Sequence, residues 1–139
     1  AIDDIWEKSN GELIIADIKA TSKNNFNWNE TWNKYDYPKS YKRQLEMYQW
    51  LFKMNGFKVS NEAYIIYFNG KKNEKLFQNK LEFETHVIKL NCSTDWVEAK
   101  IIETIQLLRS NIFPKPSQKC ENCNYLKKRW NLSKKLKIK

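Results

Sequence analysis

A chain of 139 residues, 41% of them hydrophobic, has the size and composition of one globular domain. No apolar run approaches the ~20 residues of a membrane span, no signal-peptide pattern is visible, and three cysteines form no even disulfide framework, so a reducing intracellular compartment such as the cytoplasm is expected. The formal charge of +9 favours a polyanionic partner, although the acid-free stretch from residue 124 to the end also reads as a solvated basic tail.

The chain starts with Ala and enters a strand pattern at once, so an N-terminal part of a longer protein is expected to be missing. Ile2 to Trp6 reads as a first strand and Glu12 to Ala20 as a second, joined through Glu7-Lys8-Ser9-Asn10-Gly11 as a hairpin. Asp17-Ile18-Lys19 closes the apolar run of the second strand. Ionisable groups are costly on a core strand, and residues two apart point to the same side. With Asp3-Asp4 on the neighbouring strand, two carboxylates and one lysine fall into one cleft; alternation lets only one of Asp3 and Asp4 face inward. Asp-x-Lys alone also fits an ion pair at an exposed strand end. The acidic neighbour favours a divalent cation acting on a phosphate, with Asp3 and Asp17 supplying oxygens. Lys19 would then stabilise the attacking hydroxide or the developing oxyanion.

Thr21 to Pro38 is too polar for a core strand and reads as a loop with room for a short helical turn. Its Trp28, Trp32, Tyr35 and Tyr37 either stack on unpaired bases or close over the sheet edge. Pro38 opens a helix to about Asn55, stopped by Gly56, with Tyr41, Leu45, Tyr48, Leu51 and Phe52 at helical spacing. Gln44 and Tyr48, four apart, share a face. Gln44 is either a polar group directed into a site or a boundary residue of the core.

Glu62 to Phe68 reads as a third strand, followed by a turn at Asn69-Gly70 and the lysines Lys71-Lys72. Phe83 to Leu90 alternates as a half-exposed fourth strand, with His86, the only histidine, on its polar face and solvated or at the core edge rather than catalytic. Thr94-Asp95 caps a second helix from Trp96 to about Ser110, with Trp96, Ile101, Ile105 and Leu108 on one face. The order β-β-α-β-β-α implies an α/β fold with a central mixed β-sheet and helices packed on it.

Ile2-Asp3-Asp4-Ile5-Trp6, the segment from Gly11 to Thr21, and Gln44-Leu45-Glu46-Met47-Tyr48 resemble motifs of the PD-(D/E)XK nuclease superfamily, in its RecB-type exonuclease branch. The resemblance runs from Ile2 to about Phe68 and more loosely to Tyr125. It implies a restriction-endonuclease-like core over residues 1–112, without the helix that usually precedes the first strand, and a basic, Cys-containing segment over 113–139. It also implies Mg²⁺- or Mn²⁺-dependent hydrolysis of DNA, as an exonuclease of repair, recombination or replication. Asp3, Asp17 and the main-chain carbonyl of Ile18 would hold the metal, and Lys19 would be the catalytic lysine beside Asp17. Gln44 and Tyr48 would be the Gln-x-x-x-Tyr motif beside the active site and the DNA. The alternative is a catalytically inactive nuclease fold serving as a DNA-binding or assembly module, with other subunits of a repair or replication complex as partners.

Cys120-Glu121-Asn122-Cys123 is similar to a C-terminal pair that, with two further cysteines, holds a 4Fe–4S cluster in some relatives. Four thiolates are required, and no Cys stands around Arg129-Trp130, so a reduced pair is expected over a cluster. A zinc site has the same deficit, even if His86 joined it.

Overall fold

The expected hairpin forms, with strands at Asp4–Glu7 (β1) and Leu13–Thr21 (β2) paired antiparallel from Asp4 opposite Ala16 to Glu7 opposite Leu13. Its loop closes through the Gly11 N–H on the Lys8 carbonyl (2.9 Å) and the Lys8 N–H on the Glu12 carbonyl (2.9 Å). Gly11 takes φ +75°, the left-handed conformation that glycine adopts without a Cβ penalty. The computed structural model describes residues 2–73 and 79–135. Of the basic tail, Lys137 and Lys139 lie outside the described residues.

Val59–Gly70 (β3) and Phe83–Asn91 (β4) complete a four-stranded mixed sheet in the order β1-β2-β3-β4. The outer pairs are antiparallel and β2–β3 is parallel. Parallel pairing demands a crossover, which two helices supply: Trp28–Lys34 (α1) and Tyr37–Met54 (α2). Val97–Arg109 (α3) and Glu121–Lys135 (α4) follow.

One sheet face carries the core. Ile15, Ala63, Ile65, Tyr67 and Leu90 are buried there with Leu45 of α2, and Tyr41, Tyr48 and Phe52 pack against them. The β2–β3 register shifts between Leu13 and Ile15, where β3 bulges. Buried Gln49 grips the bulge, donating to the carbonyls of Ser60 (2.9 Å) and Glu62 (3.2 Å). Glu46, also buried, accepts the Ser93 N–H (3.1 Å) and the Trp96 indole N–H (2.8 Å). These two side chains lock α2 over the sheet, because buried polar groups are stable only when hydrogen-bonded.

Several expectations need correction. Trp28–Lys34 is a true helix, capped by Asn27, whose side chain accepts the Glu30 N–H (3.1 Å). Leu51 does not join the inner stripe of α2; it is exposed. Asn69 and Gly70 belong to β3, and Lys71 then pairs back on Glu82. The faces of β4 are inverted: His86 lies opposite core Tyr67 and stacks on Phe26 at 4.6 Å, while Val87 is 61% exposed. Alternation located the strand, but the register with β3 decided which side is covered.

By chain contacts the molecule divides into two compact units, Ala1–Ile101 and Ile102–Lys139. The first holds the whole sheet with α1 and α2. In the second, Leu108 is 79% exposed, so the proposed apolar face of that helix is not a buried stripe at its C-terminal end. The Cys-bearing segment forms α4, with Glu121 in its first turn and Lys134 and Lys135 in its last, charges that complement the helix dipole. No helix among the described residues is long and apolar enough to cross a membrane.

Candidate active site

The hairpin register decides which acid faces the core side. Asp4 stands opposite Ala16; one further step sets Asp3 opposite Asp17, on the face where Ile5 meets Ile15. Asp3 turns its carboxylate back onto β2 and accepts the Ile18 N–H through Oδ2 at 2.9 Å. Asp4 points away, accepting the Ile5 N–H (2.9 Å) and the Trp6 indole N–H (2.8 Å).

Asp17 and Lys19 project from the same side of β2, and the Lys19 Nζ lies 2.6 Å from Asp17 Oδ2. Asp17 is only 2% exposed, so this ammonium is the cation that faces its buried charge. Burial raises the Asp17 pKa above the usual carboxylate range; Lys19 pulls it down, and the nearby Asp3 carboxylate pushes it up again. Two carboxylates thus share a partly desolvated site with one cation.

Two residues not singled out for the site stand beside it. Lys19 lies over the Tyr41 ring, 4.7 Å from its centroid. Tyr67 is level with Lys19 in the parallel register, and burial, with Tyr41, Tyr37 and Asp17 around it, raises its hydroxyl pKa so that it stays protonated. Its buried hydroxyl has no hydrogen-bond partner among the described residues. Tyr41 was legible as a signal, since it sits one helical turn before Gln44 and two before Tyr48. Tyr67 was not, because only the β2–β3 register places it. Gln44 donates to the Tyr48 hydroxyl at 3.0 Å, so these two are brought together as a pair on α2.

A family model for the PD-(D/E)XK nuclease superfamily matches residues 1–127. The chain belongs to that superfamily. No curated protein and no solved structure gives a significant match. Membership supports a nuclease-type, hydrolytic function with DNA as the implied substrate. The mixed sheet flanked by helices agrees with the restriction-endonuclease-like core of this superfamily.

Divalent metals are usual in PD-(D/E)XK nucleases, and the donor set here is compatible with a hard cation. Among the described residues no three His, Cys, Asp or Glu side chains converge on one point. Mg²⁺ needs fewer: it is commonly bound through one or two carboxylates plus waters and substrate phosphates. The buried Asp17 carboxylate beside that of Asp3 is such a pair.

The cysteines do not fit a 4Fe–4S cluster. Cys92 belongs to the buried core, where burial pushes its thiol up to about 11. Cys120 and Cys123 face each other across the first turn of α4, with the Cys123 N–H donating to Cys120 Sγ at 3.4 Å. Two thiols are half of the four required. His86 Nε2 lies 3.4 Å from Glu84 Oε2.

Proposed function

We propose that this protein is a divalent-metal-dependent deoxyribonuclease. The observation that carries the proposal is that Asp3, Asp17 and Lys19 share one face of the sheet, with the Asp17 carboxylate buried and the Lys19 ammonium 2.6 Å from it. Asp3, Asp17 and the main-chain carbonyl of Ile18 would hold Mg²⁺ or Mn²⁺. When bound, the ion supplies Lewis acidity toward the phosphate and the attacking water.

The chain's own groups do the rest. Lys19 is anchored between Asp17 and the Tyr41 ring, so its ammonium is held ready to donate to the negative charge that grows on the reacting phosphate. A donor fixed before the reaction costs no reorganisation during it. Gln44 and Tyr48, bonded to each other on α2, position the DNA strand beside this centre. The motif spacing supports the RecB-type branch and therefore exonuclease action in repair, recombination or replication. Free cysteines are compatible with a reducing intracellular setting.

Incubation of end-labelled linear and circular DNA with the protein, across Mg²⁺ and Mn²⁺ titrations, tests the reading. Release of nucleotides from linear DNA, lost in EDTA, is the expected result. Binding of DNA without nucleotide release at any metal concentration would instead establish a binding or assembly module.

A further inference from the structure

β2 ends at Thr21, and the chain continues through Ser22 and Lys23, where it meets α1 across a polar cavity of about 340 Å³. That volume lies at the small end of the range of ligand pockets. Its wall includes Lys23, Lys72, Asn24, Asn27, Tyr35 and Glu30. The cavity is built rather than incidental. Asn69, 5% exposed, holds Lys23 by both backbone groups, accepting its N–H (2.8 Å) and donating to its carbonyl (3.0 Å). The Lys23 ammonium donates to the Tyr37 hydroxyl (2.9 Å) and lies 5.1 Å from the Tyr35 ring centroid. Tyr35 stacks on Tyr37 at 5.5 Å and keeps 41% of its surface exposed.

We propose that this cavity is a subsite for one unpaired nucleotide of the DNA strand that crosses the Lys19 centre; the proposal rests on the nuclease reading above. Lys23 and Lys72 present two cations against one carboxylate, Glu30, which selects a phosphate over a cationic group. Asn24 and Asn27 carry amides that offer donors to a base edge; their oxygens already accept from Asn73 (3.1 Å) and the Glu30 N–H (3.1 Å). Tyr35 supplies an aromatic surface on which a base or sugar packs. A base inside a duplex is stacked and paired and cannot enter a concave cavity, so the occupant is single-stranded or flipped out. Ser22 lies three positions past Lys19, roughly 10 Å at strand rise, which makes this a position neighbouring the Lys19 centre rather than a remote site.

The four aromatics of the Thr21–Pro38 segment therefore divide. Trp28 and Trp32 pack on the core cluster, whereas Tyr35 lines the cavity with Tyr37 stacked on it.

The test is fluorescence anisotropy with labelled single-stranded and duplex oligonucleotides, in EDTA so that no cleavage occurs. Wild type is compared with Tyr35→Ala and Lys72→Ala, both at exposed positions. Tyr35→Ala should weaken single-strand binding about fivefold or more and leave duplex binding nearly unchanged. Lys72→Ala should lower the salt slope for single strands by about 0.7, the value for one lost phosphate contact. Equal weakening of both DNA forms, or no change in either variant, would overturn the subsite. Cleavage assays on the same proteins separate the two claims. A wild type that binds single strands through Tyr35 yet never cleaves refutes the nuclease reading alone. An active enzyme indifferent to both substitutions refutes the subsite alone.

Discussion

Asp17→Asn should make the protein more stable while abolishing cleavage. Asp17 is almost fully buried, with the Lys19 ammonium 2.6 Å from its Oδ2. Three effects act on its charge: burial opposes it most strongly, Lys19 favours it, and Asp3 opposes it. Burial wins, so the folded-state pKa is raised. Asparagine keeps the shape and removes the charge. Lys19 loses its ion pair but keeps the Tyr41 ring at 4.7 Å and partial access to water. A gain of about 0.5–2 kcal/mol at neutral pH is expected, the range common for single stabilising substitutions. For a chain of this size that is roughly 2–8 °C in Tm.

The sign with pH follows from linkage. A raised folded-state pKa gives wild type its full stability below the unfolded carboxylate pKa and loses it as pH rises through the folded value. The advantage of Asp17→Asn should therefore be absent in acid and grow toward neutrality. The assay is thermal unfolding by circular dichroism in EDTA across this pH window. Adding Mg²⁺ should then raise the Tm of wild type and leave the variant unmoved, because only wild type binds it. A variant less stable than wild type at neutral pH in EDTA would refute the reasoning, making Asp17 a member of a net stabilising ion pair.

Lys19→Ala should lower the cleavage rate about 10²–10³-fold, the cost of losing one charge-stabilising donor, with DNA affinity largely intact; unchanged turnover would remove Lys19 from the mechanism. Asp3→Ala should abolish cleavage, whereas Asp4→Ala should leave it close to wild type and shift only the Trp6 fluorescence, since Asp4 bonds the Trp6 indole on the opposite side of the hairpin. Equal losses from the two would contradict the register. Iodoacetamide near neutral pH should label Cys120 first, because the Cys123 N–H lowers its thiol pKa. Cys92, pushed up to about 11 by burial, should react only on unfolding, and mass spectrometry of the peptides reads both.

Much of the site could be read from residue order because hairpins are local. Gly11 and the alternation of β2 fix the turn, and the turn fixes which residues of β1 and β2 face each other. Alternation alone allowed either Asp3 or Asp4 and only the motif resemblance favoured Asp3; the pairing Asp4–Ala16 puts Asp3 level with Asp17. α2 was legible from Pro38 and the Tyr41, Leu45, Tyr48 stripe, but Leu51 at its margin was not, because the width of the buried stripe is set by the sheet beneath. α1 reads only as a short helical turn in a loop, because its composition is polar and Asn-rich. Asn27 followed by Glu30 is an N-cap with an acid in the first turn, and that signal was present.

Non-local pairing hid the remainder. β3 bulges between the residues facing Leu13 and Ile15, and Gln49 and Glu46 read as surface polars on a helix until their buried partners are known. The same holds for the side His86 takes, which depends on Tyr67 across the β3–β4 pair. The Tyr35–Lys23 cavity needs the Asn69 clamp from β3, a contact 46 residues away in sequence.

The most direct measurement is a Mn²⁺ titration followed by electron paramagnetic resonance on wild type, Asp3→Ala and Asp17→Asn. Wild type should take up the ion saturably, and each variant should bind it far more weakly while still melting cooperatively. Undiminished uptake by either folded variant would show that this pair of acids is not where the cation sits.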